Sequence, residues 1–221
     1  MFETFKLKAS DIDNEKQIKP TPLIPESFCG LIVGAPGSGK TRLVVDMLFN
    51  TKCLYKKFDY TLFLSPYSDG FDLEIPKDRY SESLSLDWII SKISNEHQIR
   101  KISNCLVIID DLVSSITKDY QNPELINFFF NRRKLIPGVE ISIICTTQKY
   151  TLFPARFRSS IQWMVLFKIP VDDLKTVTSQ QLYSTPPHLN HILNGHFKNP
   201  FSFVFIKLDK FGIFLNFEKQ I

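Results

Sequence analysis

The chain has 221 residues with a formal net charge of +4, 43% hydrophobic and 23% charged residues, which admits one α/β domain with appendages and an ordinary core. No stretch approaches the eighteen or more apolar residues of a membrane span, and the polar start Met1–Pro20 lacks the apolar centre of a secretory signal. Cys29, Cys53, Cys105 and Cys145 are not paired at zinc-site spacings, and three lie in apolar runs as small hydrophobes, so a metal or nucleophile role is disfavoured and a soluble protein of a reducing compartment is expected.

Residues 1–25 read as an extended N-terminal arm, ending in Lys19-Pro20-Thr21-Pro22 and Ile24-Pro25. Phe28–Val33 is a short apolar run that predicts a buried strand. A helix is predicted from about Lys40 to Asn50, with Val44, Met47 and Leu48 on one face. Tyr60–Leu64 is a second strand, closed by Ser65-Pro66, and residues 70–85 read as a surface loop. Leu86–Ile102 has amphipathic helical spacing, and Cys105–Ile109 is an uninterrupted apolar strand ending at Asp110-Asp111.

Asn122-Pro123 supplies a cap and first residue for a helix running to about Lys134. Its Phe128-Phe129-Phe130 stretch is apolar on nearly every side and must be covered by the sheet, another subunit or both. Pro137-Gly138 turns the chain into the strand Ile141–Cys145, and Trp163–Phe167 is a fifth. Continuous apolar strands alternating with helices predict a mostly parallel central sheet with helices on both faces. In the tail, Asp172–Leu182 and His188–Leu193 look helical, and Phe201–Leu208 and Phe211–Phe217 flank Asp209-Lys210 as a C-terminal β-hairpin. The expected division is an arm (1–25), a core (26–168) and C-terminal helices with a hairpin packed on it (169–221).

The chemistry sits at the ends of two strands. Gly34, Ala35, Pro36, Gly37, Ser38, Gly39, Lys40 and Thr41 match the phosphate loop G-x-x-x-x-G-K-[S/T], and four of the 8 glycines fall within positions 30–39. Glycines let backbone amides wrap a phosphate chain, and the helix start behind them adds unpaired N–H groups. Lys40 would reach the β- and γ-phosphates of ATP, and the Thr41 hydroxyl would ligate Mg²⁺. Asp110 fits the metal-side acid of the partner strand, and Asp111 the carboxylate that polarises the attacking water. The chain has no Asn-Lys-x-Asp segment of the kind that reads guanine, which favours ATP over GTP. Gln148, beyond Thr146-Thr147, could aim its amide at the γ-phosphate or the water from a strand lying between the other two.

These segments, with Arg132-Arg133-Lys134, occur in the order of the FtsK–HerA superfamily and most resemble the genome-packaging ATPases of poxvirus-like large DNA viruses and virophages. The resemblance covers about residues 26–168 and implies a RecA-like P-loop NTPase core of the ASCE type. It also implies a ring, a hexamer or pentamer, that hydrolyses ATP at subunit interfaces while moving double-stranded DNA into a preformed capsid. Capsid proteins would be further partners, with no membrane, and the host cytoplasm, viral factory or virion would be the location. Arg133, or its neighbour Arg132, takes the family's position for an arginine finger acting in trans, with Arg156 and Arg158 as second choice. The competing reading of Arg132-Arg133-Lys134 is a set of cations at a helix C-terminus. Many cellular members carry Asp-Glu where this chain has Asp110-Asp111, a carboxylate longer by one methylene. A nucleoside or nucleotide kinase, a nucleotide-sensing scaffold and a non-packaging translocase are the alternatives. Lys56-Lys57 and the 70–85 loop are candidate DNA contacts.

Overall fold

The computed structural model describes residues 24–50, 53–67, 71, 73–182, 193, 195–198, 201–209, 211–217 and 219–220. Nine strands form one sheet: β1 (Cys29–Val33), β2 (Tyr60–Leu64), β3 (Tyr80–Ser81), β4 (Asn104–Ile109), β5 (Glu140–Thr147), β6 (Trp163–Leu166), β7 (Val204–Lys207), β8 (Gly212–Leu215) and β9 (Lys219–Gln220). Their order is β3-β2-β4-β5-β1-β6-β7-β8-β9. The first six are parallel, and β6 to β9 are joined antiparallel.

Both faces of the parallel part are buried, which is why its strands read as continuous apolar runs. In β4, Cys105, Val107 and Ile109 enter one core while Leu106 and Ile108 enter the other. The first core takes side chains from α2 (Leu86–Arg100), α3 (Val113–Lys118), α4 (Pro123–Phe130), α5 (Ala155–Arg158) and α6 (Val171–Gln181), among them Ile93, Ile116, Phe129, Phe157 and Val177. The second is covered by α1 (Lys40–Phe49) through Val44 and Met47, together with Ile24, Phe28 and Phe71. Layers on both faces of a mostly parallel sheet are the architecture the sequence predicts.

Differences from the sequence reading are local. The 70–85 segment contains the short strand β3, paired with β2, and Tyr80 donates its hydroxyl to the Ser65 carbonyl. Helix α4 stops at Phe130, and Arg132-Arg133-Lys134 lies beyond its C-cap Asn131. Phe128 and Phe129 are fully buried while Phe130 is 41% exposed, so the sheet and its covering helices take most of the apolar helix. Helices α3 and α5 are too short, at 6 and 4 residues, to carry a readable period. The hairpin forms and joins the sheet: Leu166 pairs with Val204 and Trp163 with Lys207. Of the expected arm only Ile24 and Pro25 are described, and the helix expected over His188–Leu193 lies outside the described residues except for Leu193. All four cysteines are buried and none is in a disulfide. Among the described residues no helix is long and apolar enough to cross a membrane, and no His, Cys, Asp and Glu cluster could hold a metal.

Candidate nucleotide site

The phosphate loop connects the carboxyl end of β1 to α1. Its shape depends on Gly37 (φ 73°) and Gly39 (φ 96°), whose left-handed backbone a side chain would strain. Nothing lies within 4 Å of a Cβ placed on Gly37, so conformation, not crowding, requires glycine there. The Gly34 amide donates to the Thr147 carbonyl at 3.1 Å, tying the loop to β5. Lys40, only 7% exposed, folds back to donate to the carbonyls of Gly34 (2.9 Å) and Ala35 (3.2 Å). Burial lowers its pKa, and the nearby carboxylates of Asp111 and Asp110 oppose that shift.

Asp110 leaves β4 on the far side of β5 and is 6% exposed. The Thr41 hydroxyl donates to its Oδ2 at 3.0 Å, and the Thr146 hydroxyl donates to its Oδ1 at 2.7 Å. Burial raises the Asp110 pKa, opposed by these two hydrogen bonds. Thr146 also accepts from the Asp111 amide at 3.0 Å, and the Asp110 amide donates to the Leu64 carbonyl at 2.8 Å. The backbone of the Asp-Asp pair is thereby held on both sides, with Asp111 in a left-handed conformation (φ 55°) and its side chain exposed. Asx residues adopt this conformation more readily than most.

The donor set suits a magnesium nucleotide. Thr41 and Asp110 offer hard oxygen ligands, and Lys40 a cation held beside them. The Ser38 hydroxyl is buried without a hydrogen-bond partner in the phosphate loop itself. A phosphate bound there would give that hydroxyl an acceptor. The first turn of α1 leaves backbone N–H groups without intrahelical carbonyls, in a helix with no acid in that turn to compete for them.

Strand β5 lies between β1 and β4, as the role assigned to Gln148 requires. Gln148 follows its last residue and is exposed at the same end of the sheet as the loop. In the sequence, Thr146 and Thr147 stand out only as the path to Gln148. Thr146 instead links the acid of one strand end to the backbone of the next residue. Two hydroxyls at the end of a fully buried apolar strand were the available signal, since buried hydroxyls require partners.

The arginines lie elsewhere. Arg133 donates to the Ser27 hydroxyl (3.2 Å, Nε) and carbonyl (2.9 Å, Nη2), just before β1 and so at the opposite end of that strand from the phosphate loop. Arg132 is buried and donates to the carbonyls of Phe129 (3.0 Å) and of the Gln162 amide (2.5 Å). The Phe129 bond is the cation-at-helix-end role expected from the competing reading. Arg158 is buried over the Tyr150 ring and donates to Phe153, Thr151 and Gln180, whereas Arg156 is exposed on α5. Lys57 donates to the carbonyls of Ile24 (2.9 Å) and Pro25 (2.7 Å), so it ties the chain before β1 to the loop after α1.

No curated protein matches the chain. Among solved structures, the genome packaging NTPase B204 from Sulfolobus turreted icosahedral virus 2, in complex with ATP-gammaS, is similar at a TM-score of 0.60 and 12% identity, over 87% of this chain and 97% of that one. B204 from Sulfolobus turreted icosahedral virus, described as the DNA-packaging ATPase, is similar at a TM-score of 0.52 and 15% identity, over 86% and 97%. The pCW3 conjugation coupling protein TcpA, with ATPgS, is similar at 0.55 and 12% identity, over 85% of this chain and 59% of that one. At these identities the likeness shows the fold, that of P-loop NTPases. The sequence profile of the poxvirus A32 protein matches residues 15–194, most of the chain and all of the site just described. The chain therefore belongs to the poxvirus A32 protein family of packaging ATPases.

Proposed function

We propose that this protein is an ATP-driven motor that moves viral double-stranded DNA into a preformed capsid, hydrolysing ATP at interfaces between subunits of a ring. The hydrogen-bonded chain Thr41–Asp110–Thr146–Asp111 beside the phosphate loop carries the hydrolytic part of this reading. The family supports the packaging part. Residues 34–41 would hold the phosphates, and Thr41 and Asp110 the Mg²⁺ ion. When bound, that ion neutralises charge on the β- and γ-phosphate oxygens.

Within one subunit, Lys40 would exchange its contacts with Gly34 and Ala35 for phosphate oxygens. Its charge is stabilised by Asp111 and Asp110 while it does so. Asp111, exposed on a fixed backbone, would accept the proton of the hydrolytic water, and Gln148 would orient that water from the neighbouring strand end. An arginine from the adjoining subunit would complete the site. Arg133 is the first candidate and must release Ser27 to act; Arg156, exposed, is the second. DNA would be gripped through its backbone charge with little sequence preference. Capsid proteins would be the docking partners, in the host cytoplasm or a viral factory.

The test is ATP hydrolysis with and without long double-stranded DNA, in the parent, Lys40→Ala, Arg133→Ala and a mixture of the two variants. DNA-stimulated activity, lost by about a hundredfold or more in Lys40→Ala and partly restored in the mixture, is the expected result. Hydrolysis indifferent to DNA, with phosphoryl transfer to a nucleoside instead, would overturn the motor and favour a kinase. Restoration by mixing Lys40→Ala with Arg156→Ala, but not with Arg133→Ala, would move the finger to Arg156.

A further inference from the structure

The phosphate loop has two flanks. On one, Thr41 faces Asp110 across β5 and β4; on the other lie β6 and β7, because the sheet order runs β4-β5-β1-β6-β7. Phe167, directly after β6, donates its amide to the Val33 carbonyl at 2.9 Å and is 3% exposed. It packs on Phe203, whose amide donates to the Asn216 side-chain Oδ1 at 3.0 Å. Phe201, two residues earlier, is different. It is 59% exposed, its backbone is left-handed (φ 60°), and a methyl group on Gly39 would lie 3.3 Å from its ring and 3.9 Å from that of Phe167.

A left-handed backbone at a bulky non-glycine residue is an outlier that the surrounding structure must hold in place. Here it holds a large exposed ring beside Gly39 of the phosphate loop, where the buried ring of Phe167 also approaches. A nucleoside triphosphate is a linear chain. With a metal-bound end at Thr41 and Asp110, its nucleoside would extend away from β4, toward the flank where this ring stands. We infer that Phe201 is the stacking platform for the nucleobase, backed by Phe167, so that the C-terminal segment supplies a wall of the nucleotide site. This rests on the reading of residues 34–41 as a nucleotide site. Stacking offers no hydrogen-bond donor or acceptor, so the contact rewards an extended purine face and leaves the choice between adenine and guanine to other groups.

The test separates base from phosphate. Binding of Mg²⁺·ATP and of Mg²⁺·tripolyphosphate, which has the phosphates without a nucleoside, is measured by calorimetry for the parent, Phe201→Ala and Phe201→Trp, with thermal unfolding as a control. The expected result is ATP affinity weakened about tenfold in Phe201→Ala, tripolyphosphate affinity unchanged, and ATP affinity regained in Phe201→Trp. The new tryptophan should also change its fluorescence with ATP and not with tripolyphosphate. Equal ATP affinity in the parent and Phe201→Ala, or an equal loss for both ligands, would overturn the assignment. A parent that binds tripolyphosphate and ATP equally would do the same, whereas a parent that binds neither would remove the nucleotide-site reading beneath it.

Discussion

At the carboxyl ends of β1, β4 and β5, Thr41, Asp110 and Thr146 bond to one another through side chains, and Ser38 keeps a buried hydroxyl unpartnered. At the amino ends, Arg132 and Arg133 each donate two hydrogen bonds to groups of their own subunit: Phe129, Gln162 and Ser27. The first arrangement is exchangeable, because each hydroxyl or carboxylate can rotate its bond toward a cation or phosphate. The second is anchored, because each arginine has a backbone carbonyl among its acceptors, Phe129 for Arg132 and Ser27 for Arg133. One end of the sheet is set up to bind and the other to hold the layers together. An arginine finger drawn from the anchored end must first be released, and that difference can be tested.

The largest effect is expected at Asp110. Asp110→Asn should abolish Mg²⁺-dependent hydrolysis, a loss of about a hundredfold or more, without lowering the unfolding temperature of the nucleotide-free protein. Its carboxylate is disfavoured by burial, so removing the charge removes that penalty. A marked fall in melting temperature would show that the binding end is anchored after all.

Thr146→Val should follow. It deletes the hydroxyl that bonds to Asp110 and the acceptor for the Asp111 amide. Stability should fall by about 1–3 kcal/mol in urea titrations, and the turnover number by about tenfold as the Asp-Asp turn loosens. Unchanged turnover would show that Thr146 serves only the fold. The smallest catalytic effect belongs at the other end. Gln162→Leu removes the acceptor shared by the Arg132 guanidinium and the Cys29 amide. A loss of about 1–3 kcal/mol is expected, with hydrolysis per folded molecule unchanged. A drop in hydrolysis as large as that in Thr146→Val would dissolve the distinction between the two ends.

Much of this was legible in the residues. Continuous apolar runs gave the buried parallel strands, and the glycine spacing gave the phosphate loop with Lys40 and Thr41. Asp110 was readable because its strand is apolar up to the carboxylate. What the sequence obscured depends on contacts between distant segments. The Thr41–Asp110–Thr146 linkage joins three strand ends far apart in the chain, and no local period records it. Arg132 and Arg133 look alike as neighbours, yet one is buried on Phe129 and Gln162 while the other remains exposed on Ser27. Phe201 reads as part of an alternating aromatic strand, but β7 begins only at Val204, which leaves its ring outside the strand pattern.

The switch from parallel to antiparallel pairing at β6 has a consequence for how the chain is made. Trp163 on β6 is fully buried between Phe28, at 5.3 Å, and Phe205 of β7, at 5.9 Å between ring centroids. On the ribosome, every parallel strand is synthesised before β7 emerges. For a few seconds, at about 5–20 residues per second, β6 presents an open edge and an uncovered indole face. The antiparallel strands close that edge only after the parallel strands are made, so their synthesis is also the step that shields the nascent sheet from pairing with another copy.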